Sequence, residues 1–599
     1  MNEMMIERRL GAFPADFLIR TALAWMVVCA FLLWFHSSKI TGFQSMGPDD
    51  ILRLVQVRDL IGGQSWFDAT QYRINASDGG VPMHWSRLVD LPIYLIILAL
   101  TPLLGSDWAE AIAVLFVPLL TMGIAMMLAA RIAWRLLGQE TANWAYLIFA
   151  FSIPLIFQMG PMRIDHHGWQ IVCALAAVNG LMARSERLGG FIIGASLATW
   201  LSISIEGLPF AAAFFALLAW RWLRDRKERV LLETGIQSLA GTSIALFLLT
   251  KGLSDLQVYC DAIGPAHLAM FAWGAVVLTI TARIEPIPRA LLLCGFGAAG
   301  AGAIGIMLFA APHCVTGGGF GDLDPLVADF WLVRVAEGQP IWRQKIEVAL
   351  QFAITPMIAL IAVANLIGQS RDWLRRFWID YAVLLAAAIC VSLLVARAGA
   401  VACALAAPPL AWQIGQWVKA IRKMDRPVYR VSAVMGVLCV LVPIVPVSFL
   451  ASAEKAHAKI TGNEVSADKE QLPKCPMADS AHLLNAFAET EIYAPLDLGP
   501  RILLGTHHSV IATAHHRGDQ AMKFVIETGL ASVEDAREKL RERGTEYVVV
   551  CESRGEPKAF QKEAPEGFIA TLAFGDAPDW LEPVDLGEDS SLKAWRVKP

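Results

Sequence analysis

The sequence predicts a multi-span α-helical membrane protein that carries a water-soluble α/β domain at its C-terminal end. Three observations predict it. Of 599 residues, 56% are hydrophobic and only 17% are charged, with a mean hydropathy of +0.50. Apolar runs fill residues 1–451, whereas 452–599 mix polar and apolar residues as a soluble domain does. The basic residues of the first part fall in short clusters between the runs, the pattern by which a membrane selects sides.

A span needs about 20 mostly apolar residues. Thirteen runs qualify: 18–36, 109–130, 142–160, 168–183, 190–205, 208–223, 233–250, 265–282, 289–311, 347–367, 378–396, 398–416 and 431–450. The first follows Arg8 and Arg9 with no prompt small-residue cleavage site, so it reads as an uncleaved span. The fourteen residues 91–104 are short for a crossing and read as an interfacial or re-entrant helix. Charge supports that choice. With 91–104 not crossing, Arg131/Arg135, Arg184/Arg187, Arg221–Arg229, Arg283/Arg289, Arg371–Arg376 and Lys419–Arg430 all share the side of Arg8/Arg9, the cytoplasm by the positive-inside rule. The opposite face then holds the loop 37–108, short turns near 161–167, 206 and 397, the segment 251–264, the loop 312–346 and the tail 452–599.

Other classes are excluded more simply. No stretch combines basic and aromatic residues as a nucleic-acid surface does, so no nucleic-acid partner is expected. Most of the ten cysteines lie scattered in apolar runs, without the close pairing of a zinc site. Only Cys475 and Cys551 lie in the tail. On the outer side of a bacterial inner membrane they meet an oxidising compartment, where paired thiols form disulfides, so a Cys475–Cys551 bridge is expected. The tail itself reads as strands near 491–496, 502–505, 509–513 and 546–551 with a helix at 532–543, capped by Ser532 and Asp535. It is expected to fold alone.

The chemistry gathers on the outer face. Asp49 and Asp50 follow the first span; Asp165, His166 and His167 form a DHH triplet between two spans; Asp322, Asp324 and Glu337 lie in the loop 312–346. Carboxylates and imidazoles are ligands for a divalent cation, and ionisable groups beside the hydrocarbon layer are costly unless they serve a function. Each has a plainer reading: Asp49 and Asp50 as solvated residues or a cap for a helix beginning near Ile51, the DHH triplet as interface hydration. Glu206, in SIEGLP, reads as a snorkelling or capping residue. Arg397, isolated between two apolar runs, marks an interfacial turn or meets an anionic phosphate.

Taken in order, these segments resemble the catalytic subunit of oligosaccharyltransferase, a C-type membrane glycosyltransferase. Asp49 matches the aspartate of the family's first outer loop, followed by Arg58-Asp59-Leu60 and Trp66-Phe67-Asp68; the DHH at 165–167 matches the second acidic motif. RVAEGQPIW places Glu337 at the glutamate of the late outer loop, and Arg397 matches an arginine that contacts the donor phosphate. In the tail, PLDLG keeps Asp497 and Gly499 of the WWDYG motif, but Pro495 and Leu496 stand where other members have residues that read an Asn-x-Ser/Thr sequon.

The resemblance implies a glycosyltransferase that moves a sugar or oligosaccharide from a polyprenyl-(pyro)phosphate to a protein, lipid or polysaccharide acceptor, with inversion. It implies Asp49, Asp165 and Glu337 as catalytic residues and a cation, Mg2+ or Mn2+, on Asp49, Asp165 and His167. Arg397 would hold the phosphate; Asp50, His166, Glu206 and Asp497 are secondary candidates. The expected organisation is a transmembrane domain, 1–451, and a periplasmic domain, 452–599, with a cytoplasmic N-terminus. Two other classes remain open at this stage: a transporter or flippase, for which no inverted repeat is visible, and a scaffold with a periplasmic binding domain.

Overall fold

The computed structural model describes residues 13–598 except 41–42, 45, 254, 322, 450–451, 453–479, 552–554, 588–589 and 591. The thirteen expected runs overlap helices, the last of them Pro427–Leu441, which ends well before residue 450. Ala15–Ile40 is the first. Ser106–Leu137, at 32 residues, is about 48 Å long at 1.5 Å per residue, so it outreaches the roughly 30 Å hydrocarbon layer. The run 142–160 becomes two helices, Gln139–Phe151 and Ile153–Met159, bent by 69°. Ser152 between them is extended, and Pro154 in the first turn of the second helix offers no amide donor to the helix before it. Among the described residues nine helices are long and apolar enough to cross a membrane, or ten with the bent pair.

Arg87–Leu104, expected as a short interfacial helix, is one of the nine by length and composition. Gly105, at φ 83°, turns the chain straight into Ser106–Leu137, a conformation that favours glycine. Ile93 and Ile97 pack on Ala109, Ala113 and Val117 in the first part of that long helix, and on Leu54 and Val57 of Pro48–Ile61. Asp90, near the other end, binds Arg53 at 2.8 Å.

The bundle closes around Gly399–Ile421, whose residues 399–411 are all buried. Its run of glycine and alanine lets neighbouring helices approach closely. At one end of the bundle, Arg221 pairs with Glu228 and Asp380, and Lys419 with Glu140. The turns containing Asp165, Glu206 and Arg397 meet at the other end, beside the tail. The two sets of turns therefore lie at opposite ends of the bundle.

The tail contains a five-stranded sheet in the order Ser509–Val510, Glu491–Tyr493, Tyr547–Val550, Lys593–Val597, Leu581–Val584. The first three strands are parallel and the last two antiparallel. Val533–Arg543 is a helix, with Ser532 Oγ accepting from the Asp535 N–H at 3.2 Å as the cap motif requires. Residues 502–505, expected as a strand, instead end the helix Gly499–Gly505. Pro500 in its first turn suits a helix start, and a run this short carries no period to separate the two states. Gly499 is needed for space: a Cβ there would lie 2.6 Å from the Ala512 carbonyl.

The core of the tail is shared with two loops of the first part of the chain. One face of its sheet is covered by Leu52, Val55, Ile74, Val81, Met83 and Trp85 of the first outer loop. The other face shares its core with Val327 and Phe330 of the loop 312–346. At the sheet edge the Asn75 N–H donates to the Val510 carbonyl at 2.9 Å, and the Val510 N–H returns a bond to Arg73, which covers an otherwise sticky strand. Cys551 follows the central strand and is disulfide-bonded; Cys475 lies outside the described residues. A second bridge, unforeseen from the sequence, joins Cys260 to Cys314 with a Cα separation of 5.0 Å. Both of its cysteines lie in outer segments, the signal that reading the cysteines by apolar run passed over.

Candidate active site

The site is built from the start of the helix Pro48–Ile61 and the turns at the outer end of the bundle. That helix begins at Pro48, not near Ile51, so Asp49 and Asp50 lie in its first turn, where the helix dipole favours negative charge. Asp50 serves the structure: its carboxylate accepts from the Gly47 N–H at 2.9 Å, accepts from the Asp165 N–H at 2.9 Å, and pairs with Arg163 at 3.1 Å. The cap reading thus holds for Asp50, and it fixes the DHH turn against the helix. Asp49 faces the cavity instead.

Asp165 is the hub. Its carboxylate lies 2.7 Å from His166 Nδ1, 3.3 Å from His167 Nε2 and 3.2 Å from Arg53. Arg53 is fully buried and also binds Asp90, which is held in turn by Gln56 and Arg87. Burial alone would raise Asp165, but the two imidazoles and Arg53 hold it well below the usual carboxylate range. Burial, and then the charges of Asp165, Glu337 and Asp50, push Asp49 up to about 7.

Arg397 pairs with Glu206 and, at 3.5 Å, with Glu337. Burial pulls Glu206 up, yet Arg397 overrides it and brings the carboxyl down to about 2. Arg397 Nε is buried and carries no hydrogen bond, so this guanidinium retains a donor beyond its two carboxylates.

Asp49, Asp50, Asp165, His167, Glu337 and Asp497 line one cavity of about 540 Å³, together with Arg163, Trp331 and Arg334. Glu556 also borders it, accepting the Leu496 and Asp497 N–H groups at 3.0 and 2.8 Å. Burial and Asp497 raise Glu556 to about 8. Pro495 and Leu496 are buried. Glu206 and Arg397 stand beside this cavity through Glu337. The motif residues Arg58, Trp66 and Asp68 act as struts: Arg58 pairs with Glu110 at 2.7 Å, Trp66 donates to Leu249, and Asp68 accepts from Thr70.

The donor set fits a divalent cation. Asp165, His166 and His167 are buried and offer ligand atoms within 4.8 Å of one another, and Asp49 adds a carboxylate to the same cavity. His166 thus joins Asp165 and His167 more directly than its secondary ranking implied. Sequence reasoning missed Arg53, Asp90 and Arg163. The four-residue spacing of Asp49 and Arg53, which puts them on one helix face, was the available signal for Arg53.

The backbone matches known structures. The archaeal oligosaccharyltransferase AglB from Archaeoglobus fulgidus, in complex with an inhibitory peptide and a dolichol-phosphate, superposes with a TM-score of 0.64 at 12% identity, over 94% of this chain and 72% of that one. The Archaeoglobus fulgidus enzyme tethered to an acceptor peptide containing the NVT sequon gives 0.62 at 13% identity, over 92% and 71%. Its complex with Zn and sulfate gives 0.58 at 14%, over 92% and 70%. The chain has the oligosaccharyltransferase fold. No protein-family model matches the chain, and no curated protein matches it in sequence.

Proposed function

We propose that the protein is a glycosyltransferase that moves a sugar or oligosaccharide from a polyprenyl-(pyro)phosphate to an acceptor at the outer face of a bacterial inner membrane. One observation carries the reading: Asp49, Asp165 and Glu337 arrive from three distant outer segments at one cavity, and Arg397 joins from a fourth through Glu337. The cavity lies at the membrane end of a fold whose solved neighbours include an oligosaccharyltransferase bound to dolichol-phosphate. A transporter would have no need of this grouping at one face.

A divalent cation, Mg2+ or Mn2+, held by Asp49, Asp165 and His167 would neutralise charge on the departing phosphate. Arg397 holds the phosphate through the guanidinium donor its carboxylate partners leave over. Asp49 orients the acceptor nucleophile or takes its proton, the role open to a carboxylate that lines the cavity. Glu337 keeps Arg397 in place and borders the acceptor. A single displacement at the anomeric carbon inverts its configuration. The acceptor, a protein, lipid or polysaccharide, meets Asp497, which lines the cavity. Supporting the outward placement of the tail, the Cys260–Cys314 bridge and the bonded Cys551 suit an oxidising compartment.

The test is mass spectrometry of polyprenyl-linked sugars and outer glycoconjugates in a deletion strain. A lipid-linked sugar should accumulate and one glycoconjugate vanish, both restored by the wild-type gene but not by Asp165→Ala. Unchanged profiles, or rescue by Asp165→Ala, overturn the reading.

A further inference from the structure

Three imidazoles converge where the first outer loop, the segment 251–264 and the tail meet, away from the residues assigned to transfer. His84 comes from the loop just before Arg87–Leu104; His515 and His516 follow the edge strand Ser509–Val510. The three offer ligand atoms within 4.8 Å of one another. Their rings lie 4.8 to 5.0 Å apart.

His84 Nδ1 lies 3.0 Å from His515 Nε2. Two nitrogens on a tetrahedral zinc ion, with bonds of about 2.0–2.1 Å, sit roughly 3.3 Å apart. A shift of a few tenths of an ångström therefore converts this contact into a ligand pair. His516 uses its Nε2 against Asp261 at 2.7 Å, which leaves Nδ1 for coordination. A carboxylate on the far nitrogen of a histidine is the arrangement that orients metal-ligating imidazoles. Arg517 binds the same carboxylate at 2.7 Å, fixing Asp261 and taking up part of its charge. His515 Nδ1 is buried and has no hydrogen-bond partner. A proton on that nitrogen leaves the lone pair of Nε2, which faces His84, for a metal. A small cavity of about 190 Å³, lined in part by Asp261, Phe320, His516 and Asp519, abuts the cluster and gives an entry path.

We propose that His84, His515 and His516 bind a transition-metal ion, Zn2+, that fastens the tail to the first outer loop, with Asp261 as the carboxylate that positions His516. Imidazole ligands select Zn2+ over Mg2+, so this site is chemically distinct from the carboxylate-rich cavity. It also has a consequence for that cavity: Ala514, in its wall, is the residue before His515, so the ion would set where the tail meets the transfer site.

The experiment uses the full-length protein in detergent, stripped with chelator and titrated with Co2+ alone, then with Zn2+ as competitor. In Asp165→Ala/His167→Ala, which disables the cavity ligands, one Co2+ should bind with the intense visible absorption of a tetrahedral site, and Zn2+ should displace it. His84→Gln/His515→Gln should lose that signal. Absence of the tetrahedral signal from Asp165→Ala/His167→Ala overturns the proposal, as does its persistence in His84→Gln/His515→Gln. Should the latter fail to fold, Asp261→Asn decides: all three imidazoles remain, and Zn2+ affinity should fall about 10–100-fold, whereas unchanged affinity overturns the positioning and with it the proposal. None of these readouts involves sugar transfer, so they stand or fall apart from the proposed reaction.

Discussion

Arg53 holds Asp165 at 3.2 Å across 112 residues of sequence, and with its other nitrogen it holds Asp90 at 2.8 Å. One buried guanidinium thus locks the DHH turn, the helix Pro48–Ile61 and the helix Arg87–Leu104 together. Removing a single partner of a buried ion pair costs about 3–5 kcal/mol, because the other charge is left without compensation. Arg53→Met should therefore lower the thermal midpoint of the detergent-solubilised protein more than Asp165→Ala does. A wild-type midpoint for Arg53→Met would show that the pair contributes little.

Asp49→Ala, Asp165→Ala and His167→Ala should each reduce transfer at least a hundredfold without reducing membrane insertion. Insertion depends on the apolar runs, while these three side chains share the cavity. Near-normal transfer by all three variants would remove the cation site from the mechanism.

Glu337→Gln should impair turnover more than donor binding. The charge of Arg397 is balanced by Glu206 as well as Glu337, so the phosphate-binding guanidinium keeps one carboxylate partner in the variant. The check is a comparison of kcat with donor affinity; a collapse of affinity with normal saturated turnover would move Glu337 into the donor subsite.

Asp49 predicts a pH dependence of stability in chelator-treated protein. Its folded carboxyl, pushed up from 3.8 to about 7, keeps a proton that the unfolded chain has already released. Stability should accordingly fall as pH rises through that window. A divalent cation offsets the crowded negative charge and should flatten the slope, as should Asp49→Asn. Thermal midpoints measured from pH 4.5 to 7.5 with and without Mn2+ test this, and a rise in stability over the same range would refute it.

A peptide map of non-reduced protein should recover Cys260 linked to Cys314, whose Cα atoms are 5.0 Å apart, and Cys551 linked to Cys475. Alkylation of Cys551 in the oxidised protein would remove the second bridge.

Sequence alone determined the helical membrane-protein class, because burying a helical backbone in lipid demands long apolar runs, and nine or ten described helices are long and apolar enough to cross. It also determined which turns share a face, since basic clusters mark one side, and it singled out Asp49, Asp165, Glu337 and Arg397 because charges beside apolar runs stand out. Only the tertiary structure decided which charges meet. Apart from the spacing of Arg53 from Asp49, nothing local marks Arg53 and Asp90 out from solvated residues until the fold buries both. The stretch 502–505 became helix rather than strand, and the tail sheet borrowed Leu52, Ile74 and Trp85 to cover its face. His84 and His515 are 431 residues apart. Local sequence encodes hydrophobic period and charge, which act over a few residues; the pairing of groups from distant segments is set by the packing of the whole bundle against the tail.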